Sequence, residues 1–132
     1  MIRIEVPGIP PSLNDLKRMH YHQWNRTKKE WADRIALSAR GKRPPQPFEK
    51  AICTLTYHFP DKRRRDPDNY SGKFILDPLV AEGFLVDDSF DHVELRHRKG
   101  EVDKRNPRVV IEIEEVEGEW SGIESLKTKK KR

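Results

Sequence analysis

The sequence has one cysteine, Cys53, and that scarcity excludes two things at once. No disulfide can form within the chain, and no zinc site can be assembled from thiolates. Cys53 falls in the apolar stretch AICTL, where a thiol packs as a small inert hydrophobe rather than acting as a nucleophile. Long apolar runs are missing too: none approaches membrane-spanning length, and the N-terminal residues contain no signal-peptide core. The expectation is a soluble protein in a reducing, cytoplasmic setting. His20, His22, His58, His92 and His97 show no metal-ligand spacing, so a soft-metal site is not expected. His20 and His22 flank a tyrosine and read either as an exposed pair or as a phosphate contact.

Apolar residues are also sparse, at 34% against 37% charged. A chain of 132 residues suits one domain with a lean core, with burial completed in a dimer. The net charge is +5, but it sits at one end, in Lys127, Lys129, Lys130, Lys131 and Arg132. Removing those five leaves 22 basic against 22 acidic residues, so the body is neutral and its local clusters carry the information. Residues 119–132 read as a flexible basic tail, either solubilising or adding non-specific attraction to nucleic acid.

The patterning describes an α+β domain with a mixed sheet, in the order β-α-β-α-β-β and with two main helices. Ile2, Ile4 and Val6 alternate with Arg3 and Glu5, the period of a half-buried strand. Prolines stop it, and a polar loop is expected through Asn25. Thr27 and Glu30 have capping-box spacing, and Trp31, Ile35 and Ala39 then mark an amphipathic helix that Gly41 ends. The proline-rich stretch after Gly41 is a connector, or a docking motif for an aromatic groove. Residues 51–59 read as a central strand, with Ile52, Leu55, Tyr57 and Phe59 available for the core. A second helix is expected from about Asn69 to Gly83, followed by strands over 92–98 and 107–117.

Between the central strand and the second helix lies KRRRDPDNYSGK, and after that helix comes VDD. Opposite charges this dense read either as a neutralised, solvated turn or as two halves of one site. Asp66 and Asp68 stand two apart, and in an extended segment such residues face one side. A strand-helix-return path can bring Asp88 or Asp87 back to them. Carboxylates with open positions suit Mg²⁺ or Mn²⁺, hard ions that keep waters and bind phosphate. Arg63, Arg64 and Arg65, with Lys62 beside them, supply cations suited to a phosphate backbone.

The ordered set RRRDPDN, a lysine, LDPL and AEGFLVDDS resembles the signature of the RusA family of Holliday junction resolvases. The early PGIPPSLN is similar to that family's PPSxN stretch, and the likeness runs from about residue 4 to residue 116. It implies a nuclease domain over residues 1–118, acting as a Mg²⁺-dependent endonuclease. It also implies a homodimer that cuts two opposed strands of a four-way DNA junction, in a bacterial or phage-infected cell, with no small-molecule cofactor. On this resemblance the metal carboxylates fall on Asp66, Asp68 and Asp88, with Asp87 auxiliary, and the catalytic lysine on Lys73. Lys73 would share DNA contact with Lys62, Arg63, Arg64 and Arg65, while Asp77 matches the LD aspartate and reads as structural.

Two positions depart from the family pattern. Asp68 and Lys73 are five apart where the family has four, so either the helix starts later or a bulge at Gly72 absorbs the extra residue. Lys73 also stands four before Asp77, the spacing of an intrahelical ion pair. Pro78 falls inside the expected helix, where it should kink or break it. The competing readings are a DNA-junction-binding module of the same fold without activity, and a protein-interaction adaptor with a basic tail.

Overall fold

The structure is a computed structural model that describes residues 1–118. The basic tail expected over 119–132 lies outside the described residues. Strand β1 spans Ile2–Pro7, helix α1 Leu13–Lys17, helix α2 Tyr21–Ser38 and strand β2 Ala51–His58. Helix α3 spans Lys73–Ala81, strand β3 Val93–Lys99 and strand β4 Arg108–Glu115. The expected order holds, with short α1 as an addition. No helix among the described residues is long and apolar enough to cross a membrane.

The four strands form one mixed sheet in the order β1-β4-β2-β3. Strand β4 runs antiparallel to both β1 and β2, while β2 and β3 are parallel. A parallel pair needs a crossover, and α3 provides it. The register builds rows across one face: Ile2, Ile113, Cys53 and Leu95 form one, and Ile4, Ile111, Leu55 and His97 the next. These rows are apolar from β1 to β2 and turn polar only at His97 on the β3 edge. On this face Trp31 and Ile35 of α2, with Ala39 at its C-terminal cap, join Phe74, Ile75, Leu76 and Leu79 of α3 in the core. The core is lean but closed: Ile4, Ile35, Leu55, Ile75, Leu79, Ile111 and Ile113 are all fully buried. Cys53 lies within it, and burial pushes its thiol up to about 12, so it is inert at neutral pH.

Three local expectations are corrected. Helix α2 begins at Tyr21 and not at Thr27, so His22 lies in the helix and His20 at its cap. The Thr27 hydroxyl donates back to the Gln23 carbonyl at 2.9 Å, which is helix-interior behaviour. The extra turns are held because Trp24 packs edge-on against Phe74, with ring centroids 5.2 Å apart. The true capping box is at Ser12, whose hydroxyl accepts from the Asp15 N–H while Asp15 accepts from the Ser12 N–H, both at 3.1 Å. The second helix starts at Lys73, not near Asn69, because Gly72 adopts a left-handed φ of 73° and interrupts the chain there.

Pro78 does not break α3, which runs on to Ala81. At the sixth helical position Pro78 forfeits only the bond to the Phe74 carbonyl, while its buried ring packs inward. The helix closes as expected at Gly83, with Phe84 N–H donating to the Leu79 carbonyl and Gly83 N–H to Val80.

Candidate nucleic-acid and metal site

The charged stretch leaves the end of β2 and is organised by Asp61. Its carboxylate accepts from the Arg63 N–H at 3.0 Å and pairs with Arg65 at 2.7 Å. Arg65 donates further to the carbonyls of Asp61 and Arg63 and lies over the Phe59 ring at 4.4 Å. Hydrogen bonding from Arg65, then from the Arg63 backbone, holds the Asp61 carboxyl down at about 2. The three arginines therefore differ. Arg65 is only 16% exposed and clamps the turn, whereas Arg63 and Arg64 are 81% and 88% exposed. Lys62 is exposed as well.

Asp66 is extended, at φ −100° and ψ 135°, but Pro67–Asn69 form a short 3₁₀ turn. Asp68 is inside that turn, so the expectation that both carboxylates share the face of an extended strand is corrected. Pro67 sits at the first position of the turn, where its fixed φ favours the tighter winding. Asp66 pairs with Arg64 at 3.2 Å. Asn69 reaches away to accept from the Asn14 N–H at 3.1 Å, which ties DPDN to the PPSLN stretch.

The residue count between Asp68 and Lys73 is explained by Tyr70, which is extended, and by Gly72 in its left-handed conformation. Lys73 becomes the first residue of α3, and its ammonium stands 3.5 Å from Asp77, the intrahelical pair that the spacing allows. The loop after α3 then returns Asp88 to Asp77. Hydrogen bonding with Asp77, then burial and the Asp77 charge, raise the Asp88 pKa; Asp87 adds to this.

The contact that the fold makes is thus Lys73–Asp77–Asp88. Among the described residues, no three His, Cys, Asp or Glu side chains are gathered so as to hold a metal ion, and Asp66, Asp68 and Asp88 are no exception. Asp77, read from the sequence as structural, is the carboxylate that Asp88 meets. The signal was present as a helix entering and leaving between the two acidic motifs, but spacing alone could not orient it.

Sequence reasoning also missed an aromatic group beside Asp66. Tyr57, Phe59, Tyr70 and His97 line a hollow of about 90 Å³ that Asp66 and Arg65 border. From the sequence, Tyr57 and Phe59 read as core positions, Tyr70 as part of the second helix and His97 as part of the strand over 92–98.

No family model matches the chain, and no curated protein matches it significantly.

Proposed function

We propose that this protein is a divalent-metal-dependent, structure-selective endonuclease that resolves four-way DNA junctions as a homodimer, in the manner of the RusA family that its motifs resemble. The observation that carries the reading is the meeting of Asp88 with Asp77, which links the late acidic pair to the helix that Lys73 opens.

The donor chemistry fits Mg²⁺ or Mn²⁺. Asp66 and Asp68 before α3, and Asp88 after it, offer only carboxylate oxygens, and the Asp88 pKa is raised first by its hydrogen bond with Asp77, then by burial and the Asp77 charge. Asp66, Asp68 and Asp88 are the residues that would hold the ion, which supplies charge neutralisation at phosphate and a more acidic water. Lys73, at the mouth of α3, stabilises charge developing on the phosphate once DNA competes with Asp77 for its ammonium. Arg63, Arg64 and Lys62 bind the DNA backbone, and Arg65 holds the turn that presents them. One site per protomer, related by a twofold axis, accounts for cleavage of opposed strands.

A second reading, a junction-binding module without activity, is favoured by the pairing of Lys73 with Asp77 and by the separation of the carboxylates. A synthetic four-way junction incubated with the protein, with and without Mg²⁺, decides between them. Symmetric nicks that need Mg²⁺ support the nuclease; a gel shift without products supports the binder.

A further inference from the structure

The hollow beside Asp66 is built unlike the rest of the sheet face. Tyr57 near the end of β2 and Phe59 just past it hold their rings 5.7 Å apart and 10° from parallel. His97 continues the row from β3, its ring 5.8 Å from Tyr57 and within 12° of parallel. Tyr70 leans across the end, with centroids 5.1 Å from Tyr57 and 5.8 Å from Phe59. Tyr57 and Phe59 are buried, and the half-buried Tyr70 and His97 are the rings that a hollow of about 90 Å³ leaves accessible. Its rim carries Arg98 and Lys99, both exposed and without an acidic partner among the described residues.

A row of flat rings with cations at its mouth is complementary to one class of guest, a planar aromatic group on a phosphate chain. The Tyr57 hydroxyl and His97 Nδ1 are bonded to each other at 2.9 Å, which orients the imidazole and leaves Nε2 as its hydrogen-bonding edge toward a guest. Burial lowers the His97 pKa, so that ring is neutral at physiological pH and stacks as an uncharged aromatic. Arg65, pinned by Asp61, covers Phe59 and closes that end of the row, which leaves Tyr70 and His97 as the half-buried rings.

We propose that this hollow is a nucleobase subsite, which takes one unpaired base of a DNA strand against Tyr70 and His97 while Arg98 and Lys99 hold the adjoining phosphates. It rests on the nucleic-acid reading of the neighbouring stretch and deepens it. The subsite would hold a displaced base within reach of Asp66, so strands with unstacked bases, such as those at a branch point, are the substrates it selects.

The test is made in EDTA, so that binding is read without cleavage. Two oligothymidylates of equal length are titrated with the full-length protein, one carrying a fluorescent purine analogue, the other abasic at its central positions. The expected result is a quench of the analogue on binding and about tenfold weaker binding of the abasic strand, the scale of one base-aromatic stack. Tyr70→Leu should erase that difference and Tyr70→Phe should keep it. Equal binding of the two wild-type titrations overturns the subsite while leaving phosphate binding by Arg63 and Arg64 intact. Binding of neither strand overturns the subsite and the nucleic-acid reading together.

Discussion

Asp88 stands against Asp77, carboxyl to carboxyl, at the point where the loop after α3 returns to the helix. The arrangement sets a sign for the pH dependence of stability. The Asp88 pKa is raised above its ordinary 3.8, so the folded state favours the protonated form. The contact is therefore most stabilising below the ordinary value and is lost as pH rises through the raised one. Asp88→Asn should melt higher than the parent at neutral pH and lose this dependence. Added Mg²⁺ should raise the melting temperature of the parent but not of that variant.

The opposite sign holds at Asp61. Its pKa is lowered to about 2 by Arg65, so the pairing stabilises the fold above the ordinary 3.8 and is lost as pH falls toward the lowered value. Asp61→Asn should flatten the acid limb of a stability-pH profile measured by denaturant unfolding.

The arginines should separate by readout. Arg64→Ala is expected to leave stability within about 0.5 kcal/mol, as exposed pairs do, while reducing the salt slope of DNA binding by about 1. Arg65→Ala should instead lower the unfolding midpoint, because it removes the clamp on Asp61 and the cover on Phe59. Salt-dependent binding and urea titrations on both variants make the comparison.

Gly72 allows the chain to turn before Lys73. A Cβ there would sit 3.0 Å from Leu95 Cδ2 and 3.2 Å from Leu55 Cδ1, on a backbone at φ 73°. Gly72→Ala should destabilise the fold by at least about 1–2 kcal/mol, the cost of the left-handed conformation alone. The urea midpoint reads it directly.

Lys73 carries little of the stability. Its exposed pair with Asp77 is worth about 0.3–0.5 kcal/mol, so Lys73→Ala should unfold almost as the parent does. If Lys73 serves the phosphate in the transition state, cleavage should fall by about 10²-fold or more. Single-turnover cleavage beside a melting curve separates the two effects.

The strands were legible because their information is local. Ile2, Ile4 and Val6 alternate, and Val109, Ile111 and Ile113 do the same, so their inward faces can be read directly. The strand order could not be, since β4 enters between β1 and β2 through pairings distant in sequence. The start of α2 was hidden by polar residues around Trp24, whose reason for being helical is Phe74, far along the chain. The same limit applies to the site. The position of Lys73 at a delayed helix start follows from Gly72, whereas the meeting of Asp77 with Asp88 depends on how the crossover closes. The hollow was invisible for a similar reason, because Tyr70 and His97 join Tyr57 only across the fold.

Cleavage of a labelled four-way junction in Mg²⁺ by the parent protein and by Asp68→Asn tests the proposed nuclease most directly. Paired symmetric nicks by the parent, with none from the variant and junction binding retained, are the predicted result. Equal Mg²⁺-dependent cleavage by both proteins, or no cleavage by the parent at all, would contradict it.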